Sequence, residues 1–400
     1  MSQTVFIRRV VLRNYKSIGH CDVSLQPLTY LVGQNGAGKS NFLDALHFVR
    51  DALAGSLDSA FTERYGVQEV RRRSSGHPTH FGIRLEFRLK DGRNGHYAFE
   101  IGAMPSGGYE VQREECVIVG IGKGPFFRII KGQRRDSSET LPSITSDRLA
   151  LVAASGLTEF RPVFDMLTAM GFYNLNPKLM RELRKPQDGR LLKPVGENIA
   201  SVIGHLERVA PDRMKTIKEY LQSVVPMVHD VERKVIGPME TLEFRQIMAG
   251  AKHPWRFWAQ NMSDGTLRTL GVMTALLQGN VDYSPTLIGI EEPETALHPA
   301  ASAALREVLI QAATHTQVLV TSHSPDLLDD RDIDASSILS VVSEAGETKI
   351  APLDEASSKV LRDHLFSAGE LLRMNQLAPD RKVIEQQAMT QADLFGEAQL

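Results

Sequence analysis

Eight residues, Gly33-Gln34-Asn35-Gly36-Ala37-Gly38-Lys39-Ser40, constrain this chain more than any other stretch because of what flanks them. The run Leu28-Thr29-Tyr30-Leu31-Val32 before them reads as a buried strand. After them Phe42, Leu43, Leu46, Val49 and Leu53 recur at helical spacing, so the glycines fall at a strand-to-helix junction. There Gly33, Gly36 and Gly38 let the backbone turn its amides inward, and the helix N-terminus adds a partial positive charge, so the loop suits phosphate oxygens. Asn35 and Asn41 belong to the same phosphate-contacting stretch. Lys39 supplies a mobile positive charge, and the Ser40 hydroxyl can ligate Mg²⁺.

Three motifs far downstream narrow the chemistry. Thr286-Leu287-Ile288-Gly289-Ile290-Glu291-Glu292-Pro293 is an apolar strand ending in two carboxylates. Glu291 suits a magnesium shell, and Glu292 suits a base that polarises the water attacking a γ-phosphate. A second strand, Gln317-Val318-Leu319-Val320-Thr321, ends in Ser322-His323-Ser324, where His323 can contact the γ-phosphate and sense its loss. Between them and the glycine loop lies Met262-Ser263-Asp264-Gly265-Thr266-Leu267-Arg268, a serine-glycine turn opening an apolar helix, which is another anion-binding arrangement. On its own that turn would read as an ordinary helix cap, and His323 as structural.

In this order the four elements resemble the ATP-binding-cassette heads of the RecF, SMC and OLD-like ATPases. Leu12-Arg13-Asn14-Tyr15-Lys16-Ser17-Ile18 resembles the opening strands of that group, and Ser263 with Gly265 falls at its signature position. Glu291 through Pro299 resembles the acidic strand and dimer-contact loop, and Thr321 through Pro325 the switch histidine. Glu291 stands where transporter heads carry aspartate and Asp264 where they carry glycine, which fits the RecF and OLD branch better than transporters. The implied fold is α/β: a P-loop ATPase head with an antiparallel β lobe and an inserted helical lobe. The resemblance also implies ATP and Mg²⁺ as ligands and an ATP-dependent homodimer. In it Lys39, Ser40 and Glu292 of one chain would share a nucleotide with Ser263 and Gly265 of the other.

Composition agrees with an ATPase outside the membrane. No apolar stretch approaches the length of a membrane span, and no signal-peptide core opens the chain, so a cytoplasmic protein is expected. The net charge of -2 carries no signal for nucleic acid. Cys21 and Cys116 are too few for a disulfide framework or a metal site.

Along the chain, residues 1–55 and 255–350 read as the nucleotide core of one discontinuous head spanning 1–378. Residues 56–150 read as the β lobe: Phe81, Ile83, Leu85 and Phe87 alternate, then a Gly92-Arg93-Asn94-Gly95 turn leads to Tyr97, Phe99 and Ile101. Residues 151–254 read as a helical insertion, and Arg134–Thr140 and Lys185–Pro194 read as loops. Leu361–Leu377 reads as a C-terminal helix within 351–378, and 379–400 as a flexible tail. Sustained heptads and a Cys-x-x-Cys hook are absent, so the long arms of SMC proteins are not expected.

Arg71-Arg72-Arg73, Arg134-Arg135 and the group Arg181, Arg184, Lys185, Arg190 and Lys193 are candidate DNA contacts, although each reads better as a solvated face. Trp255, Phe257 and Trp258 read as a core wedge rather than a base-stacking platform. OLD proteins continue into a nuclease domain. Asp332-Ile333-Asp334 lies in a polar run unlike that domain's metal-binding strand, so any nuclease is expected to be a separate polypeptide. In the tail, Gln391, Asp393, Leu394 and Phe395 resemble the short peptide that binds bacterial sliding clamps. The expected activity is ATP hydrolysis coupled to DNA repair or anti-phage defence. The alternative is a slow ATP-gated scaffold that holds and releases a nuclease or toxin, and a transporter head is a distant third.

Overall fold

The computed structural model describes residues 6–74, 78–105, 107–120, 124–248, 250, 252–279, 283–295, 297, 301–389 and 394–396. The chain divides into two units, Met1–Met170 with Arg331–Leu400, and Gly171–Asp330. These boundaries differ from the expected core segments, since the first unit takes in the β lobe and the second takes in the carboxylate strand. Among the described residues no helix is long and apolar enough to cross a membrane.

The first unit opens with β1 (Ile7–Tyr15) and β2 (Ile18–Ser24), antiparallel, followed by β3 (Leu28–Val32) and α1 (Lys39–Ala54). Short helices α2 (Leu57–Thr62) and α3 (Val67–Val70) lead to the meander β4 (His80–Arg88), β5 (Asn94–Ala103), β6 (Tyr109–Ile118), β7 (Phe126–Ile130) and β8 (Gln133–Ser137), then α4 (Ala150–Ala154) and α5 (Arg161–Thr168). The alternation seen in the sequence has a direct cause. Phe81 and Phe99 turn to one face of the meander and meet Phe48 of α1 edge-on or tilted, with Tyr15 and Phe61 packed beside them. Burying each such ring contributes about 1.5–3 kcal/mol. The opposite face carries Arg84 and Glu86, which is why β4 is buried on both sides yet not uniformly apolar.

The second unit contains β9 (Gly171–Tyr173), α6 (Pro177–Met180), α7 (Ile199–Val209), α8 (Pro211–Val224), β10 (Val228–Ile236), β11 (Met239–Gln246), β12 (Trp255–Trp258), α9 (Asp264–Leu277), β13 (Leu287–Glu291), α10 (Ser302–Ala313) and β14 (Gln317–Ser322). β13 lies between β9 and β14 and is parallel to both. Both β13 and β14 are covered on two faces, and this makes them continuous apolar runs rather than alternating ones. β10, β11 and β12 form a separate three-stranded antiparallel sheet.

The chain then returns to the first unit as β15 (Ile338–Glu344), β16 (Glu347–Pro352), α11 (Glu355–Arg362), α12 (Ala368–Arg373) and α13 (Arg381–Met389). The β15–β16 hairpin inserts between strands that are neighbours in sequence: β16 pairs with β2, and β15 runs parallel to β3. The first unit's sheet therefore runs β8-β7-β6-β5-β4-β1-β2-β16-β15-β3.

Several expectations need correction. The segment 151–254 is not purely helical, because β10 and β11 interleave charge with inward residues such as Val231, Leu242 and Phe244. Trp255 and Trp258 are not a core wedge; they are 57% and 39% exposed on the outer strand of that sheet. The Arg134–Thr140 loop begins inside β8. Leu361–Leu377 is not one helix, because Ser367 starts α12 afresh through a reciprocal capping box with Glu370.

The flexible tail and its sliding-clamp peptide are also overturned. α13 packs on β2 and β16, with Gln387 Nε2 donating to the carbonyls of Asp22 (2.8 Å) and Ile350 (3.3 Å). Leu394 is 2% exposed and rests on Gly82, where any Cβ would come within 2.2 Å of its Cδ1. Arg84 Nη1 donates to the carbonyls of Leu394 (3.0 Å) and Gly396 (2.8 Å), and the Arg113 guanidinium lies 4.0 Å above the Phe395 ring. A clamp-binding peptide must keep its leucine free for the partner's pocket, and here the β lobe holds it. Gln391 and Asp393 lie outside the described residues.

Candidate active site

The glycine loop lies between β3 and α1, as its flanks predict. Gly36 and Gly38 adopt φ of 79° and 102°, values that side chains resist, and Gly38 caps α1 with no side chain over the first amides. Uncapped amides at a helix start form an anion site. The loop's shape is fixed from behind. Thr348 Oγ1 on β16 donates to the Ala37 carbonyl (2.8 Å), and a Cβ at Gly38 would come within 2.0 Å of that hydroxyl. Asn41 Nδ2 donates to Ser17 Oγ (2.6 Å), which lies 2.7 Å from Thr348 Oγ1. Each hydroxyl has one proton, so the chain runs in one direction, from Asn41 through Ser17 and Thr348 to Ala37. Lys39 is buried and curls back, its Nζ donating to the carbonyls of Gly33 (2.8 Å) and Gln34 (3.0 Å). Asn35, Gly36 and Ser40 face solvent. An open arch of amides with a lysine at its base fits a nucleotide's phosphates.

In the second unit, β13 delivers Glu291 at its end, and Glu292 follows at φ 43°. Glu292 N donates to the Thr321 carbonyl (3.0 Å) of β14, and the Glu292 carbonyl accepts from Thr295 N (3.1 Å). Glu292 Oε1 lies 3.3 Å from His323 Nδ1, so the two parallel strands bring together the two residues for which the sequence suggested the roles of base and γ-phosphate sensor. Behind them Glu294 is buried and accepts from Ser322 Oγ (2.6 Å). Burial pushes the Glu294 carboxyl above its ordinary range, against the Ser322 hydrogen bond.

At the signature position, Ser263 caps α9, its Oγ accepting from Thr266 N (3.1 Å). Ser263 and Asp264 are exposed, with Gly265 half-buried. Arg181 Nη2 donates to the Asp264 carboxylate and to the Met262 carbonyl (3.2 Å). The carboxylate that replaces glycine at this turn is thus paired, which relieves the repulsion an anion would meet there. Arg268, one turn further along, is half-buried with its guanidinium among main-chain carbonyls, and burial lowers its pKa against the opposing pull of Glu292, Glu294 and Glu291.

The sequence did not connect three residues with these arrangements. Thr348 lies too far along the chain for the sequence to associate it with the loop that it touches. Arg181 was grouped with surface arginines. Arg268 left a usable sign, being a lone charge among the buried Leu267, Thr269 and Leu270 of an apolar helix. The other candidate DNA-contacting arginines are largely engaged: Arg72 with Glu347, Arg73 with Glu69, Arg184 with Glu182 and Arg190 with Asp188. Asp334 caps a short turn through Ser336 N, outside any strand. Among the described residues no cluster of three or more His, Cys, Asp or Glu could hold a metal. Magnesium in such sites is held by one or two protein ligands together with the substrate's phosphates.

Comparison with known proteins supplies a family and a fold. The family described as "AAA domain" matches residues 9–223, and that described as "AAA domain, putative AbiEii toxin, Type IV TA system" matches residues 174–329. The OLD nuclease of Thermus scotoductus is 24% identical over 357 residues, covering 81% of this chain and 60% of the relative. The chain thus spans less than two thirds of that protein's length. An Smc head bound to the C-winged helix domain of ScpA superposes with a TM-score of 0.57 at 15% identity, over 89% of this chain and 100% of the other. A Pyrococcus furiosus Smc head with an extended coiled coil, bound to the C-terminal domain of ScpA, gives 0.54 at 13% identity over 90% and 99%. With one family match extending over more than half of its residues, the chain belongs to the AAA-domain ATPase family, and its fold is that of the Smc ATPase heads.

Proposed function

We propose that the protein is a Mg²⁺-dependent ATPase that pairs head to head on ATP and uses the cycle to act on DNA or to gate an effector. The observation that carries hydrolysis, beyond nucleotide binding, is the Glu292 carboxylate 3.3 Å from His323 at the ends of adjacent parallel strands. The loop amides of Gly36 and Gly38 bind the phosphates, and Asn35 and Asn41 border them. Lys39 exchanges its loop carbonyls for phosphate oxygens. Ser40 and Glu291 would hold magnesium, which when bound neutralises charge on the transferring group. Glu292 accepts the proton of the attacking water as the γ-phosphorus–oxygen bond to the leaving diphosphate breaks. His323 orients Glu292 and reports the loss of the γ-phosphate. Ser263 and Gly265 supply the anion-binding turn to the nucleotide held by the opposite subunit.

Replacing Glu292 with glutamine tests this reading. The variant is expected to keep ATP affinity, to lose turnover about 10²-fold or more, and to elute as a dimer with ATP in size-exclusion chromatography. A monomeric profile with ATP would remove the paired-head reading. The toxin–antitoxin description of the family matching 174–329 and the likeness to an OLD nuclease favour, as a second reading, a head that restrains a separate nuclease or toxin. Turnover that DNA does not stimulate, together with ATP-dependent retention of such an effector, would select it.

A further inference from the structure

Arg268 ties the helix that begins at Ser263 to the backbone of the carboxylate pair. Its Nη1 donates to the Leu175 carbonyl (3.1 Å), and its Nη2 to the carbonyls of both Glu291 and Glu292 (3.2 Å each). A planar fork can span three carbonyls, which the point charge of a lysine cannot. What it spans is unusual. Glu292 sits at φ 43°, a left-handed conformation that is unfavourable in a residue with a side chain and persists only where its surroundings over-determine it. On one side Thr321 accepts from Glu292 N; on the other the Glu292 carbonyl accepts from Thr295 N within the turn and from Arg268, which alone of the two reaches it from α9.

We infer that Arg268 is a positioning residue for hydrolysis. It holds the left-handed turn that sets the Glu292 carboxylate against His323, and it makes that placement depend on where α9 lies. An anion arriving at the exposed Ser263 turn acts on the N-terminus of α9, and Arg268, on the same helix, passes the displacement to the Glu291 and Glu292 carbonyls. Engagement at the signature turn would thereby tune the base within the same chain. The inference rests on the ATPase reading.

The test measures nucleotide affinity by titration, steady-state ATPase rate and melting temperature for Arg268→Gln and Arg268→Lys, each alone and combined with Glu292→Gln. Arg268→Gln is expected to bind ATP within about twofold of wild type while its kcat falls about tenfold or more, with Arg268→Lys intermediate. In the Glu292→Gln background neither change should slow turnover further, because both act through the same carboxylate. An unchanged kcat, or losses that multiply with Glu292→Gln, would overturn the inference. Should Arg268→Gln not fold, Arg268→Lys, which keeps the buried charge, is judged by the same two outcomes. A wild type without turnover would instead sink the ATPase reading.

Discussion

At the scale of single residues, the phosphate loop depends on one hydroxyl from the far end of the chain. Thr348 Oγ1 donates to the Ala37 carbonyl across 311 residues of sequence. Thr348→Val keeps the shape and removes the donor, leaving a buried acceptor without this bond, which costs about 1–3 kcal/mol. The expected result is a loss of that size in denaturant unfolding together with weaker ATP binding in titration; unchanged affinity would show that the loop keeps its shape without the hydroxyl. The strand-loop-helix setting of Gly33, Gly36, Gly38 and Lys39 was legible because the glycines and the lysine stand in one contiguous run between two periodic segments. The placement of Glu292 and His323 was legible because each follows an apolar strand. Thr348, Arg181 and Arg268 were not, since their partners are main-chain carbonyls or distant side chains that leave no local pattern.

At the scale of elements, α4 shows a helix start served from another strand. Leu149 at its N-cap offers no side-chain acceptor, and Glu114 on β6 fills the role, accepting from Ala150 N (2.5 Å), Leu151 N (2.9 Å) and the Tyr97 hydroxyl (2.9 Å). Burial outweighs these donors and raises the Glu114 carboxyl from 4.5 to about 7. Below about 4.5 both folded and unfolded chains hold this proton, and its contribution is complete. Between 4.5 and about 7 only the unfolded chain releases it, so stability falls as pH rises through that window, by about 3 kcal/mol in all, and then levels. Denaturant unfolding at several pH values, compared with Glu114→Gln, checks this. The difference between the two proteins should shift across the window, and parallel profiles would refute it. The meander and α1 were legible because period two and period 3.6 were clean there. β10 and β11 were missed because charged side chains fill their outer positions, and the break between α11 and α12 because one serine cap decides it.

At the scale of the whole molecule, paired heads predict complementation. Lys39→Ala should be inactive for want of phosphate charge, and Gly265→Trp because its bulk blocks the opposite subunit's nucleotide. A mixture of the two should recover ATPase activity through one intact composite site. Mixed dimers demonstrated by differential tagging but without activity would count against sharing of the site between subunits. The order of the four motifs along the chain was legible at this scale, whereas the division into units was not. A residue's neighbours in sequence do not reveal that a late hairpin will part β2 from β3.

That hairpin has a consequence for biosynthesis. When Gly33–Ser40 leaves the ribosome, the loop lacks both backstops: Val341, whose carbonyl a Cβ at Gly33 would approach within 2.0 Å, and Thr348. Gly171–Asp330 is continuous in sequence, while the first unit is complete only once residues 338–352 have been made. The first of the four motifs to be synthesised therefore receives its backstops last, from residues made after the carboxylates and the histidine.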